Sequence, residues 1–234
     1  MSAESEVIAF FDIDKTMIDV NSAKLWMLRE FRAGRLSSGQ LVRASWMLLR
    51  YSLGRVDLQE GLREAISTLK GMEERVVVER TAAFFREEVA ATIRQEAVAA
   101  VARHRAEGHH VVTLTSASNY MAQLLGEHVP FDGHLATHFD VVDGHFSGEP
   151  DGDICFGSGK VSKARAYCEM HGFKLEDAFF YSDSYTDLPM FEVVAHPVVV
   201  SPDRRLERLA RKRAWPIENW QTRVVEVSPD RVTL

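Results

Sequence analysis

The sequence contains very little cysteine: two residues, Cys155 and Cys168, in a chain of 234. They form no C-x-x-C pair, which argues against a disulfide-rich scaffold or a cysteine-based zinc site, and we interpret both as free thiols of a reducing compartment. Long hydrophobic runs are also absent, because no apolar stretch reaches the ~18 residues that a membrane-spanning helix needs. The acidic, polar residues 1–6 do not have the pattern of a signal or transit peptide. We therefore expect a cytoplasmic protein with no membrane span.

An excess of basic charge is missing as well. The formal net charge is −6 and the isoelectric point is about 5.9. This balance argues against a nucleic-acid partner, which requires a basic surface. It still permits a small anionic ligand, because the local charge of a site can oppose the net charge. A chain of 234 residues is long enough for one large domain or for a core domain with an insertion, and the sequence does not indicate the oligomeric state.

From residue 95 onward, predicted helices alternate with predicted strands. The helices are expected at 95–106, 119–129 and 160–171, and the strands at 110–116, 177–183 and 196–201. A first strand at 6–12 is almost entirely apolar, which predicts burial on both faces. Asp143-Gly144 is expected to be a turn between two short strands, and Ser201-Pro202 is expected to begin the last helix. Strand–helix alternation predicts an α/β fold with a doubly wound parallel sheet.

The stretch 20–94 has a different pattern and is predicted to be helical throughout. Its clearest helix, within 57–71, has an apolar stripe at helical spacing, with Asp57 as the expected N-cap and Gly71 beyond the end. The segment 41–54, "LVRASWMLLRYSLG", is expected to be another helix that packs within this region. We therefore predict a core domain made of 1–19 and 95–234, with an all-helical domain, 20–94, inserted after the first strand.

Polar residues follow three of the predicted strands. Asp12 and Asp14 end the first strand, Ser116 lies at the end of the second, and Asp183 follows the third. The carboxyl ends of strands in open α/β sheets form ligand sites. Carboxylates placed there need a cation, and hard oxygen ligands suit Mg²⁺ together with phosphate oxygens. Lys160, which opens a helix, could face the same crevice; the alternative for the aspartates is simple helix capping.

Four segments carry a resemblance to a known family. In chain order they are "FFDIDKT", "LTSAS", "GSGKVSKARAY" and "YSDSYTDLPMF". They resemble the four motifs of the haloacid dehalogenase superfamily of phosphohydrolases, and in particular the phosphoserine-phosphatase-like subfamily IB, which has a helical C1 cap. The resemblance covers nearly the whole chain. It implies a Rossmann-like core, Mg²⁺ as cofactor, a small phosphate ester as substrate and an aspartyl-phosphate intermediate.

The same resemblance implies roles for the acidic residues. Asp12 would be the nucleophile and a metal ligand. Asp14 would be the acid/base that offers the metal its backbone carbonyl, and Asp183 would complete the metal site. Asp187 would be a second acid of the fourth motif, and Thr16 would support the first motif.

The phosphate group would be held by the second and third motifs. Ser116 is the expected hydroxyl, with Thr115 as the alternative if the register shifts by one residue. The backbone N–H of Ala117 would accompany it. Lys160 is the expected ammonium, and Lys163, one turn later, is the second choice.

The predicted cap would select the substrate. The resemblance places Asn21 and Ala65 where phosphoserine phosphatases carry a Glu and an Arg, so both charged groups are missing. Arg63 is near, but two positions along a helix it points about 200° away. Phosphoserine is therefore not favoured, and other small phosphate monoesters, including histidinol phosphate, stay open.

Other functions also stay open, namely a phosphotransferase with an acceptor other than water and a non-catalytic binding module. No histidine spacing resembles a zinc motif such as H-E-x-x-H, and the nine histidines are interpreted as structural.

Overall fold

The computed structural model describes residues 7–35, 39 and 58–221, and in this part of the chain seven strands form one sheet. The strands are β1 (Ile8–Phe11), β2 (His110–Ser118), β3 (Gly133–Val142), β4 (His145–Asp151), β5 (Phe179–Ser182), β6 (His196–Val200) and β7 (Ile217–Glu218). Their order across the sheet is β4-β3-β2-β1-β5-β6-β7. All neighbouring pairs are parallel except β3 and β4. The predicted α/β class with a doubly wound, mostly parallel sheet is confirmed.

Eight α-helices belong to the described residues. They are α1 (Ser22–Arg32), α2 (Leu58–Ser67), α3 (Glu74–Phe84), α4 (Gln95–Ala106), α5 (Asn119–Gly126), α6 (Ser158–His171), α7 (Leu188–Phe191) and α8 (Arg204–Arg213). A π-helical turn and a 3₁₀ turn continue α3 as far as Thr92. The predicted helix at 41–54 and its neighbour Asp57 lie outside the described residues. No helix in the described ranges is both long and apolar enough to cross a bilayer.

Strand β1 is buried on both faces, as its apolar sequence predicts. Ile8 and Phe10 pack into one hydrophobic cluster, which includes residues of α6 and α8. Ala9 and Phe11 pack into the cluster on the opposite face, which includes residues of α4 and α5. Each fully buried phenylalanine stabilises the fold by about 1.5–3 kcal/mol. This packing fixes the carboxyl end of β1 and therefore the position of the residue that follows it, Asp12.

The chain leaves the sheet after β1 and returns before α4 through two adjacent segments. The Asp19 N–H donates to the Thr92 carbonyl at 2.9 Å, and the Arg94 N–H donates to the Met17 carbonyl at 2.9 Å. Helices α1, α2 and α3 lie between these crossings. This pairing is what an insertion into a core domain requires, while the domain boundaries themselves stay a prediction.

The β3–β4 hairpin contacts the helical region directly. The Gly71 N–H donates to the Phe146 carbonyl at 2.8 Å, and the Phe146 N–H donates to the Met72 carbonyl at 3.0 Å. Val77, Tyr120 and Phe146 form a small buried cluster at this contact. The turn at Asp143-Gly144 is confirmed, with φ of 50° and 74°. The two strands, expected to be short, are 10 and 7 residues long.

The predicted start of the last helix is wrong. Asp203, rather than Ser201, is the N-cap of α8, and its carboxylate accepts from the Arg205 and Leu206 N–H groups at 2.7 and 2.8 Å. The Ser201 hydroxyl instead donates to the Trp220 carbonyl at 3.1 Å. Ser201 has a φ of 40°, so the chain turns there before the helix can begin. The Asp203 carboxylate, two residues after Ser201, therefore accepts from the free N–H groups of the first turn.

Candidate active site

The carboxyl ends of three adjacent strands place the predicted site residues along one edge of the sheet. Strands β2, β1 and β5 are neighbours, with Phe11 opposite both Thr113 and Tyr181. The Asp12 N–H continues the ladder by donating to the Tyr181 carbonyl at 2.9 Å. Asp12 is therefore level with Ser182, and Asp183 follows one residue later on the neighbouring strand.

A buried ion-pair network joins the first, third and fourth motifs. The Lys160 ammonium lies 2.8 Å from Asp12 Oδ1 and 2.7 Å from Asp187 Oδ2, and the lysine is 1% exposed. The Ser182 hydroxyl donates to Asp187 Oδ2 at 2.6 Å. One ammonium thus fixes two carboxylates that are 175 positions apart in sequence, since Asp12 and Asp187 both contact it. Lys163, the second choice for this role, is half-buried about five sixths of a turn away.

The turn after Asp12 positions Asp14 and Thr16. Lys15 adopts a left-handed conformation with a φ of 60°, which closes the turn. Asp14 Oδ1 accepts a hydrogen bond from the Ser22 N–H at 3.1 Å, so the carboxylate contacts the first residue of α1. The Thr16 hydroxyl is fully buried and accepts from the Asp183 N–H at 3.1 Å. The first and fourth motifs are thereby tied to each other.

The two hydroxyl residues near the end of β2, Thr115 and Ser116, differ in burial and in hydrogen bonding. The Thr115 side chain is fully buried, and its Oγ1 accepts from the Ala117 N–H at 3.2 Å. Ser116 is half-buried, and its hydroxyl has no protein partner among the described residues. Its carbonyl accepts from the Thr137 hydroxyl at 3.1 Å, which fixes the backbone. Among the described residues, the Thr115 hydroxyl is therefore bonded within the turn, whereas the Ser116 hydroxyl is not bonded.

The acids of the site repel one another. Burial raises the pKa of Asp12 to about 7, the Lys160 charge opposes this rise, and the Asp187 charge adds to it. The pKa of Asp183 lies well above its ordinary value because of burial and then because of the charges of Asp12 and Asp187. Burial alone would lower the pKa of Lys160, but the carboxylates of Asp12 and Asp187 outweigh it and raise the value. Burial also raises the pKa of Asp14.

This imbalance agrees with the predicted cation. Among the described residues, Asp12 and Asp187 contact the buried Lys160 ammonium, and the charges of Asp14 and Asp183 also act on the site, so its negative charges outnumber the buried positive charge. A divalent ion with oxygen ligands would supply it. The carboxylates of Asp12, Asp14 and Asp183 do not form a compact three-carboxylate cluster among the described residues. That spacing is compatible with a backbone carbonyl, rather than the carboxylate, as the ligand from Asp14.

Among the described residues, the predicted selecting residues Asn21 and Arg63 make no hydrogen bond or ion pair with the acidic cluster, although Ser22, which follows Asn21, bonds to Asp14. Asn21 is exposed and is the N-cap of α1, where its Oδ1 accepts from the Lys24 N–H at 2.9 Å. Arg63 and Ala65 are exposed on α2. Within the described residues, no hydrogen bond or ion pair joins Arg63 to Asp12 or Asp183.

Two features of the site were missed by sequence reasoning. The Ser182 hydroxyl links β5 to Asp187 and also accepts from the Ser184 N–H at 3.2 Å. Asn119 follows β2, and its Oδ1 is buried with no hydrogen-bond partner among the described residues. The hydroxyl of the next residue, Tyr120, donates to Glu74 Oε1 of α3 at 2.7 Å. The position of Ser182 as the last residue of a strand was the available signal, whereas nothing local marks the contact between Tyr120 and Glu74.

Comparisons with known proteins agree with this geometry. The model of the haloacid dehalogenase-like hydrolase family matches residues 9–192. The chain is 29% identical over 217 residues to phosphoserine phosphatase SerB1 of Mycobacterium tuberculosis, covering 91% of this chain and 70% of the relative. It is 24% identical over 219 residues to a histidinol-phosphatase of Neisseria meningitidis, covering 92% and 99%.

A solved structure shows the same fold. A protein of unknown function from Bordetella pertussis Tohama I superposes with a TM-score of 0.84 at 23% identity, over 92% of this chain and 98% of its own. The family match includes the strand ends that carry Asp12, Ser116 and Asp183, and the helix that carries Lys160. The chain belongs to the haloacid dehalogenase-like hydrolase family.

Proposed function

We propose that the protein is a Mg²⁺-dependent phosphatase that hydrolyses a small phosphorylated metabolite through an aspartyl-phosphate on Asp12. The observation that carries the proposal is the buried contact of Lys160 with Asp12 and Asp187. A carboxylate held rigidly by an ammonium at a strand end is placed to attack phosphorus. The same ammonium lies where negative charge develops on the transferring group.

In the first step, a carboxylate oxygen of Asp12 forms a bond to phosphorus in line with the bond that breaks to the leaving oxygen. Asp14 donates its proton to that oxygen as it departs. The raised pKa of Asp14 favours a protonated carboxyl that can act as this acid. In the second step, Asp14 removes a proton from water, the water oxygen bonds to phosphorus, and the bond to Asp12 breaks. Both aspartates are then ready for a new cycle.

The negative charge of the phosphoryl group is balanced by residues from separate elements. The Ser116 hydroxyl and the Lys160 ammonium would contact the phosphoryl oxygens. The carboxylates of Asp12 and Asp183 and the backbone carbonyl of Asp14 would hold Mg²⁺, which supplies Lewis-acid stabilisation of the phosphoryl charge when bound. The Asp187 carboxylate holds the ammonium in place, and the buried Thr16 hydroxyl holds the Asp183 loop.

The identities of residues 21 and 65 narrow the choice of substrate. Relatives are named for phosphoserine and for histidinol phosphate. A phosphoserine site needs partners for an ammonium and a carboxylate, and Asn21 already serves as a helix cap. Losing a charged partner costs a bound ion about 2–5 kcal/mol. We therefore propose a small phosphate monoester whose recognition does not depend on charged groups at Asn21 and Ala65.

A chromogenic phosphate monoester tests the proposal. Wild-type protein is assayed with Mg²⁺ and after chelation, beside Asp12→Asn and the control Asp177→Asn, which changes an exposed acid before β5. We expect Mg²⁺-dependent hydrolysis that Asp12→Asn abolishes and Asp177→Asn retains. No hydrolysis by wild type, or equal rates for both variants, would refute it. Added alcohols reveal transfer to an acceptor other than water.

A further inference from the structure

The C-terminal end of α4 brings two histidines and a glutamate together, away from the acidic cluster. The His109 N–H donates to the His104 carbonyl at 2.9 Å, and the Gly108 N–H donates to the Arg105 carbonyl at 3.1 Å. Gly108 has a φ of 77°. This bonding pattern is a Schellman motif, which places the side chains at its two ends in contact. Here those side chains are His104 and His109, with Glu107 as the C-cap between them.

The three donor atoms are spaced for one metal ion. His104 Nδ1 lies 2.8 Å from His109 Nδ1, and Glu107 Oε2 lies 3.7 Å from His109 Nδ1. All three ligand atoms are within 4.8 Å of one another. In a tetrahedral zinc site with bonds of 2.0–2.1 Å, ligand atoms are about 3.3 Å apart. The separation of the two ring nitrogens is about 0.5 Å shorter than this, and the separation of Glu107 Oε2 from His109 Nδ1 is about 0.4 Å longer. The ion would replace the hydrogen bond between the two rings, and the exposed Glu107 side chain would turn toward it.

A contact with β5 also orients one of the histidine rings. The Nε2 of His104 lies 2.9 Å from the Tyr181 hydroxyl. That contact would fix the ring with Nδ1 toward the ion, as outer-shell partners of metal-bound histidines do.

The electrostatic surroundings of the three side chains favour a cation, and solvent can reach them. The negative end of the α4 dipole favours a cation beside its last turn. Arg103 and Arg105 oppose it, but Arg105 is already paired with Asp132 at 2.7 Å. Glu107 is exposed and can rotate, and an open cavity of about 290 Å³ lies beside His109. An ion can therefore reach the cluster from solvent without passing through the core.

We propose that His104, Glu107 and His109 bind a borderline transition-metal ion such as Zn²⁺, with water completing a tetrahedral site. Two imidazoles and one carboxylate form a donor set of the kind zinc uses, and nitrogen ligands disfavour Mg²⁺. The ion would join the end of α4 to the start of β2. The site is separate from the acidic cluster, so it does not rest on the proposed phosphatase activity.

Metal titration of the full-length, chelator-treated protein tests this site. Zn²⁺ is titrated against a chromophoric chelator, and Co²⁺ is used as a spectroscopic probe. With excess Mg²⁺ present to occupy the acidic cluster, we expect one equivalent of Zn²⁺ bound with a Kd in the micromolar range or below, and intense visible absorption from tetrahedral Co²⁺. His109→Ala should weaken Zn²⁺ binding at least tenfold and remove the Co²⁺ spectrum, because it deletes one of three ligands. Glu107→Gln should weaken binding less.

Matched variants locate the bound ion. His128→Ala and His145→Ala change exposed histidines elsewhere and should leave the Zn²⁺ affinity within about twofold. Asp183→Asn should leave it equally intact, which separates this site from the acidic cluster. Urea unfolding in chelator checks that each variant is folded, and Glu107→Gln replaces His109→Ala if the latter is not. Binding weaker than 100 μM, or binding that neither variant reduces, would overturn the proposal.

Discussion

Replacing Lys160 by methionine should reveal how strongly the buried network is coupled. Lys160→Met keeps the volume of the side chain but removes the ammonium that lies 2.8 Å from Asp12 and 2.7 Å from Asp187. Removing one partner of a buried ion pair costs about 3–5 kcal/mol of unfolding free energy. At pH 7 we expect a loss of unfolding free energy at the low end of this range, because Asp12 has a raised pKa of about 7 and can take up a proton.

The dependence of this cost on pH has a definite sign. Without the ammonium, folded Asp12 binds a proton more tightly than the unfolded carboxyl does. The folded state then holds more protons, so the stability of Lys160→Met falls as the pH rises above about 4. Its deficit relative to wild type should therefore grow between pH 6 and 8. Wild-type protein, which keeps the ammonium, should show a weaker dependence.

Urea unfolding monitored by tryptophan fluorescence measures the effect. The matched control is Lys163→Met on the same helix, which is half-buried and makes no salt bridge with a described residue. We expect a change below about 0.5 kcal/mol for the control. A loss of less than 1 kcal/mol for Lys160→Met, or equal losses for both variants, would refute the assignment of Lys160 as the central ammonium.

Three further predictions concern neighbouring contacts. Asp14→Asn should cripple turnover while leaving most of the Mg²⁺ affinity, since only its backbone carbonyl is expected to bind the ion; calorimetric Mg²⁺ titration checks this. Tyr120→Phe removes the 2.7 Å bond to Glu74 and should cost about 1–2 kcal/mol in urea unfolding; an unchanged midpoint would contradict it. In chelator, the stability of wild type relative to His104→Gln should fall by up to about 3 kcal/mol from pH 6.5 to 4, because unfolded His104 protonates in that range before the folded residue; a difference that does not change with pH would contradict it.

The sequence was sufficient to predict a parallel sheet and the three strands, β1, β2 and β5, that carry the site residues. An apolar run that is followed by acidic or hydroxyl residues marks the end of a strand. Asp12, Ser116 and Asp183 could therefore be assigned to strand ends from the sequence. The motif resemblance then indicated Lys160. The structure adds that Lys160 is buried and paired with Asp187 as well as Asp12.

Other features depend on contacts that no local pattern encodes. The choice of Asp203 over Ser201 as an N-cap was decided by the backbone turn at Ser201 and by its bonds to Trp220. The two-residue strand β7 is too short to have a period. The contact of His104 with His109 follows from a Schellman motif, which the glycine at 108 suggests. The spacing of the two histidines does not by itself match a metal-binding motif.

The role of Asp12 can be tested most directly by trapping its phosphorylated form. Asp14→Asn is mixed with p-nitrophenyl phosphate and Mg²⁺, quenched with acid and analysed by intact mass and peptide mapping. Nitrophenolate leaves without a proton, but water needs the base to attack, so the intermediate should accumulate in this variant. We expect the mass of one phosphoryl group on the peptide that contains Asp12, and none when Asp12 is also changed to Asn. Phosphate on another residue, or release of nitrophenolate with no labelled protein, would contradict the account.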